Sequence, residues 1–376
     1  MEGPLVKFRV ERDVFADAVS WAARTLPNRP AMPMLAGLVI DATKSVVLSS
    51  FDYEVSARVE IDATVEDTGR VLVPGRLLSD ISRSLPNQPV VVELDGTRVS
   101  VTCGRASFAL PTLSIDDYPT LPDMPSTSGD VEGAAFATAV SQVVLAAGRD
   151  DTLPTLTGVR IEIDGPMITL AATDRYRLAV RELPWIPQSS SMEAATLIPA
   201  RTLGDTAKAL ADADTIHIAL SAGGSGEGLL GFEGAGRRTT TRLLDGDFPN
   251  YRTLLPSESA SVATIDTPAL VEAVKRVALV AERNTPVRLS FSAGELLLRA
   301  GANEEAFASE AVEATLDGDD IEIAFNPQFL LDGLGAIDSA VTTMSFTQAS
   351  RPAVLTAGDD TDVRYRYLLM PVRLAG

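Results

Sequence analysis

The chain has one histidine, one cysteine, two tryptophans and four lysines in 376 residues. It also has no apolar run approaching the eighteen or so residues that cross a bilayer. Each shortage excludes something. Cys103 alone cannot form an internal disulfide, and a lone cysteine fits a reducing cytoplasm. His217 is the only histidine, in the alternating stretch 215-TIHIAL-220, which predicts a place on a strand face. One His and one Cys exclude a zinc site built on those ligands. A Ser-His-Asp triad would have to use His217, beside which no nucleophile motif stands. Carboxylate-only metal or acid-base chemistry stays open, because 51 Asp and Glu are present. The first thirteen residues, 1-MEGPLVKFRVERD-13, are charged and lack the apolar centre of a secretory signal.

Lysine is short for a different reason. Only Lys7, Lys44, Lys208 and Lys275 contribute to the 32 basic residues, so arginine dominates. Against 51 acids the formal net charge is −19 and the isoelectric point near 4.5. Such a chain does not hold nucleic acid through its bulk charge; any contact needs a segregated basic surface. The stretch 171-AATDRYRLAVRE-182 stands out on that background, with three arginines and an aspartate around Tyr176.

What is present in quantity is repetition. Hydrophobic residues are 45% and charged residues 22%, an ordinary globular balance, and the length suggests two or three domains. Three stretches beginning near residues 8, 131 and 262 share one plan: a strand, an amphipathic helix, then strands of period-2 alternation. In the first helix Val14, Ala18, Trp21 and Ala22 fall at helical spacing; in the second, Phe136, Val140, Val143, Val144 and Ala147 do. Each copy has a second half of the same design. Its short helix opens on 73-VPGR-76, 198-IPAR-201 or 325-FNPQ-328. A period on the order of 125 residues is a domain length rather than a solenoid unit. The fold class that follows is α+β, in three domains spanning 1–126, 127–257 and 258–376, each of two strand-helix-strands halves.

The joints agree with this division. The stretches 119-PTLPDMPSTSGD-130 and 249-PNYRTLLPSESAS-261 are turn-rich, and each follows or overlaps an acidic turn with aromatics, 116-DDYPTL-121 and 245-DGDFPNY-251. The glycines of 222-AGGSGEG-228 read as a hairpin tip. They lack the GK[ST] ending of a phosphate loop and do not join a strand to a helix.

On 116-DDYP-119, 172-ATDRYRLA-179, 245-DGDFPNYRTLLP-256 and the ending 367-YLLMPVRL-374, set in order on a triplicated frame, the chain resembles the bacterial sliding-clamp family. These are the beta subunits of DNA polymerase III, and the resemblance covers essentially the whole chain. It implies a ring-shaped head-to-tail homodimer around duplex DNA, with sheets outside and helices lining the hole. It implies no catalysis, no cofactor and no metal. The implied partners are DNA bound without regard to sequence, the polymerase III catalytic subunit, the clamp loader, and other polymerases and repair proteins carrying clamp-binding peptides, all in the cytoplasm and not at a membrane. Carried over by position, the resemblance implies a peptide pocket with Leu156, Thr173, Leu178, Pro249 and Leu254 in its floor. Its rim would carry Arg175, Arg177, Phe329, Met370, Pro371, Val372 and Arg373. Arg175 stands where many clamps carry a small residue. Arg29, Arg76, Arg149 and Arg201 would face DNA, and Phe108 and Leu110 would meet Leu279 across the dimer seam.

Two rival readings use the same residues. A carboxylate-dependent nuclease or hydrolase needs two or three acids converging in one cleft. A second, specialised clamp copy, or a peptide-binding adaptor that does not encircle DNA, would keep the scaffold and lose the principal replicative role.

Overall fold

The computed structural model describes residues 6–221, 228–281, 285–301, 306–358 and 364–373. The hairpin tip at 222–227, the acidic pair at 359–360 and the last three residues lie outside the described residues. By contacts the chain forms two compact units. The first is Met1–Ala134 with Ile186–Ser189 and Asp205–Leu243; the second is Ala135–Trp185, Ser190–Gly204 and Leu244–Gly376.

The units differ from the repeats because hydrogen bonding runs through the repeat boundaries. In the first unit a nine-stranded sheet joins the second half of repeat two to the first half of repeat one. Its seam is Arg237–Arg242 against Val55–Ile61. A five-stranded sheet of the same unit runs in the order Thr64–Asp67, Lys7–Val10, Val90–Asp95, Arg98–Cys103, Ala106–Pro111. In the second unit one twelve-stranded sheet carries the first half of repeat two and all of repeat three, its seam being Arg177–Pro184 against Tyr365–Leu369. Neighbouring strands are antiparallel throughout these seams, and alternation places one face of each strand inward, as in Arg98–Cys103, where Val99, Val101 and Cys103 are buried.

Six α-helices occur among the described residues, one per half-repeat. They are α1 (Arg12–Ala22), α2 (Gly75–Ser84), α3 (Gly133–Val144), α4 (Ala200–Ala209), α5 (Thr267–Val277) and α6 (Pro327–Gly335). In α1 the buried face is Phe15, Ala18, Val19, Trp21 and Ala22; Val14, expected inside, is exposed, because Phe15 takes the inward position one step further round. In α3 Phe136, Val140, Val143 and the following Ala147 are buried and Val144 is half-buried. The third repeat has the better helix starts. Asp266 accepts from Ala269 N at 2.8 Å, and Asn326 accepts from Gln328 N and Phe329 N at 2.9 and 3.2 Å, each followed by a proline in the first turn.

Two glycines are fixed by close approach. A Cβ on Gly75 would lie 2.4 Å from Leu26 Cδ1, which explains the glycine of VPGR. A Cβ on Gly333 would lie 2.3 Å from the Tyr367 ring. Tyr367 is fully buried there, and its hydroxyl donates to Phe329 O at 2.8 Å.

The aromatics at the two joints are anchors. Tyr118 Oη accepts from Phe51 N at 2.8 Å, and burial pushes its phenol up to about 12. Tyr251 donates to Glu162 Oε2 at 2.9 Å, and Arg252 pairs with the same oxygen at 2.5 Å while lying 4.9 Å over the Tyr251 ring. Burial alone would raise the Glu162 carboxyl, but hydrogen bonds from Arg252, Tyr251 and Arg160 outweigh it and hold the group below its ordinary value of 4.5.

Gly333→Ala should force the Tyr367 ring aside and cost about 1–3 kcal/mol of overpacking, measured by chemical denaturation. Glu162 supplies stability above its unfolded value, and that stability is lost as the pH falls through the lower folded value. Melting temperature should therefore drop more steeply below pH 4.5 in the parent than in Glu162→Gln, which starts lower at neutral pH.

Candidate functional site

The segment 173-TDRYRL-178 closes the hairpin between strands Met167–Thr173 and Arg177–Pro184. Asp174 organises the turn: its Oδ1 accepts from Tyr176 N and Arg177 N, both at 3.0 Å. Thr173 Oγ1 donates to Arg177 O at 2.7 Å. Arg175 has φ of 79°, the left-handed region that favours glycine at the first central position of such a turn. A non-glycine residue held there costs about 1–3 kcal/mol.

Arg177 points inward and its side chain is 6% exposed. Its Nε donates to Asp174 Oδ2 at 2.9 Å and its Nη1 to Asp332 Oδ2 at 2.5 Å, from α6. Its Cζ lies 4.3 Å from the centre of the Phe329 ring. Burial disfavours the charged guanidinium, but the hydrogen bonds with Asp332, Tyr367 and Asp174 more than compensate, so its pKa is raised and the charge is fixed. Asp332 Oδ1 also accepts from Gln328 Nε2 at 2.7 Å, and the exposed Tyr176 ring stacks on Phe329 at 6.2 Å.

Beside this cluster is a cavity of about 490 Å³. Its walls are the end of the α3 segment and the loop after it (Ala147, Gly148, Arg149, Asp150, Leu153, Leu156), the turn Asp174–Arg177, and Gln328, Phe329 and Asp332 of α6. The loop is closed by Gly148 N donating to Leu156 O at 2.7 Å. The volume lies within the range of ligand pockets, and the walls combine apolar side chains with a few placed charges.

Of the residues the sequence suggested for a pocket, Leu156, Arg175, Arg177 and Phe329 line this cavity. Thr173 and Leu178 are buried and are not in its wall, and Leu178 packs in a small core with Tyr251, Val354 and Leu368. Pro249 and Leu254 are exposed and outside the cavity wall, as are Met370, Val372 and Arg373, with Pro371 half-buried. Met370 N nevertheless donates to Tyr176 O at 2.8 Å, and Val372 N to Ala324 O at 2.8 Å, so this terminal segment runs alongside the turn. Sequence reasoning missed Asp150, Leu153, Gln328 and Asp332. The apolar–charged loop 149-RDDTLP-154 directly after an amphipathic helix was the available signal.

The remaining candidates are dispersed. Arg149 lines this cavity and a second one of about 570 Å³ lined also by Gln142 and Ile337. Arg29, Arg76 and Arg201 are exposed, and Arg76 Nη2 donates to Leu26 O and Asn28 Oδ1 at 3.1 and 2.7 Å. Leu279 is 84% exposed. Leu110, by contrast, is fully buried in the first unit's core and Phe108 packs half-buried against it, because both fall on the inward-facing set of strand Ala106–Pro111. A partner chain cannot reach Leu110 without repacking that strand.

Among the described residues no group of three or more His, Cys, Asp or Glu is placed to hold a metal ion, and no helix is long and apolar enough to cross a membrane. His217 sits on an exposed strand face with Nδ1 2.6 Å from Asp130 Oδ1.

Comparison with known families is decisive. The N-terminal, central and C-terminal domains of the DNA polymerase III beta subunit match residues 6–122, 130–250 and 252–373. The chain belongs to the DNA polymerase III beta subunit family. It is 61% identical to the beta sliding clamp of Streptomyces coelicolor over 99% of this chain and all of that one. It is 47% identical to the beta sliding clamp homolog GriR of Streptomyces muensis, over 98% and 99%. Its fold matches the DNA polymerase sliding clamp of Bacillus subtilis with a TM-score of 0.90 at 26% identity, over 98% of this chain and 100% of that one. A Pseudomonas aeruginosa sliding clamp bound to griselimycin matches with a TM-score of 0.89 at 27% identity, over 98% and 100%.

Asp332→Asn should weaken the clasp between α6 and the turn. Losing a hydrogen bond to a charged group costs about 1.5–3 kcal/mol, whereas Asp150→Asn, at an exposed position, should leave stability nearly unchanged. Denaturant titration of the two variants checks the difference.

Proposed function

We propose that the chain is a replicative sliding clamp: two copies close head to tail around duplex DNA and tether client proteins through the cavity beside TDRYRL. It catalyses no reaction and serves in the cytoplasm, with the polymerase III catalytic subunit, the clamp loader and repair polymerases as partners. The observation that carries this reading is the cavity itself, preformed in a chain that matches beta clamps over its full length. An apolar peptide end fills the space between Leu153, Leu156 and Phe329, and the exposed Met370 and Val372 extend the contact along the terminal segment.

Strand edges support the ring. Strand Ala106–Pro111 ends the five-stranded sheet. The first part of Phe307–Asp317 is paired on one side only, with Glu295–Gly301, while Ala314–Asp317 alone pair with Ser261–Asp266. Open edges of this kind invite pairing, and a heterologous contact between two of them closes a ring when the rotation permits. Leu279 and Phe307, both exposed, flank the second edge and take the apolar part of the contact. Phe108 contributes what its half-buried ring leaves accessible, and Leu110 supports it from below.

DNA contact rests on exposed arginines, two of which are held by neutral oxygens. Arg76 is held by a carbonyl and an amide oxygen, and Arg24 Nη1 by the Asp205 carbonyl at 3.3 Å, so both keep full charge in a fixed position. By contrast Arg83, Lys275 and Arg276 pair with Asp80, Glu272 and Glu310. Phosphate contacts without base contacts suit a ring that slides.

Leu279→Asp should yield folded monomers by sedimentation; a variant that stays dimeric moves the seam elsewhere. The loaded parent should be retained on closed circular DNA and lost when the circle is cut, and an adaptor that does not encircle DNA would show no such difference. Replacing Arg29, Arg76, Arg149 and Arg201 by Ala should lower the salt slope of DNA binding by about one unit per lost phosphate contact. Removing 370–376 should abolish client-peptide binding in calorimetry while the dimer survives.

A further inference from the structure

A further cavity, of about 1010 Å³, lies wholly within the first unit and shares no residue with the one beside TDRYRL. Its floor is one face of the nine-stranded sheet, where Val39, Ser49 and Arg58 stand side by side on the strands Gly37–Asp41, Val46–Phe51 and Val55–Ile61. The joint segment after the first repeat adds Ile115, Pro119 and Leu121, an apolar part of the wall. Tyr118 fixes that segment through the bond its hydroxyl accepts from Phe51 N, so the space is preformed.

Two groups on the floor are left unfinished. Ser49 is only 7% exposed, yet its hydroxyl has no hydrogen-bond partner among the described residues. Other buried hydroxyls of the sheet are satisfied: Ser56 and Thr240 meet at 2.6 Å, and Ser50 donates to Ala22 O at 2.6 Å. A buried hydroxyl without a partner is costly. Arg58, next to Ser49, is exposed and makes no side-chain hydrogen bond or ion pair among the described residues. Arg238 stands directly across from it on Arg237–Arg242, and only Arg238 is matched, by both oxygens of Glu233 at 2.9 and 3.0 Å. Arg70, also in the wall, is taken by Asp41 at 3.1 Å. Like charges facing each other across a sheet repel, and an anion at Arg58 relieves the pair. The exposed Glu60, Asp116 and Asp123 also line the cavity, and they oppose a polyphosphate or a nucleic-acid backbone. A single negative charge suits the site.

We propose that this cavity binds a small monocarboxylate with an apolar body. The carboxylate meets the Arg58 guanidinium and accepts from the Ser49 hydroxyl, while the body lies against Val39 and the apolar side chains of the joint segment. The site is independent of the clamp reading, since none of its residues serves the peptide cavity, the strand edges or the arginines assigned to DNA.

The experiment uses the full-length protein with hexanoate and phenylacetate, each set against its primary amide, in calorimetry and ligand-observed saturation-transfer NMR. At least one of the two acids should bind saturably, at one site per chain. At low salt that acid should bind about three- to tenfold more tightly than its amide. The ratio should shrink as salt is raised. Arg58→Gln should bring acid and amide to equal affinity. Ser49→Ala should weaken the acid about two- to tenfold. The same variant, empty, should melt no lower than the parent, because it loses an unpaired buried hydroxyl; a Ser49 that served only the fold would lower the melting temperature instead. Phe329→Ala, in the other cavity, should leave acid binding unchanged. Equal affinity of acid and amide in the parent overturns the proposal, as does acid binding that survives intact in both Arg58→Gln and Ser49→Ala. Absence of saturable binding by either acid overturns it as well.

Discussion

A buried guanidinium must be paired, and the pairing of Arg177 governs the whole site. Its two carboxylates come from places distant in sequence, Asp174 in the hairpin turn and Asp332 in α6, and its open face is covered by Phe329. Pulling turn and helix apart would strand a charge away from water, which costs far more than the pair contributes while intact. The cavity is thereby held preformed, and a ligand that enters it need not order its walls first. The glycine at 333 belongs to the same arrangement. It lets Tyr367 lie flat on α6, where its hydroxyl meets Phe329 O and steadies the ring that covers Arg177.

Much of this was legible in the sequence. Triplication, the two halves per repeat and the six helices follow from periodicity and from the helix starts VPGR, IPAR and FNPQ. The TDRYRL hairpin follows from its turn residues, and its partnership with the terminal MPVRL segment from family likeness. The rest depends on where side chains point across long sequence separations. Nothing local reveals that Asp332 faces Arg177, or that Arg149, in the loop after α3, lines a cavity. Leu110 looked like a surface contact because family position was read without strand alternation, which places it and Phe108 on the inward set. Pro249 and Leu254 flank Tyr251, whose grip on Glu162 belongs to the joint rather than to the cavity.

The compact units and the repeats divide the chain differently, and hydrogen bonding explains why. Repeats two and three end in strands that complete a preceding repeat's sheet. Arg237–Arg242 lies against Val55–Ile61, and Arg177–Pro184 against Tyr365–Leu369. Ala106–Pro111 is an outer strand of the five-stranded sheet, and the first part of Phe307–Asp317 is paired on one side only. An exposed edge is a liability in a soluble chain unless a partner covers it. The apolar exposure at Leu279 and Phe307 is concentrated beside one of the two edges, as an association surface requires.

Charge is handled by the same economy of pairing. With a net charge of −19 the chain repels a polyanion at a distance, so productive contact falls to those arginines that keep their charge locally. Side chains held by neutral oxygens, as Arg24 and Arg76 are, remain full cations in fixed positions. Those held by carboxylates are cations too, but the adjacent negative charge offsets their field. The distinction separates two groups of arginine that look alike in sequence. The strained Arg175 stands apart from both groups: glycine would relax the turn, and the side chain held there instead is a cation within electrostatic reach of Asp150.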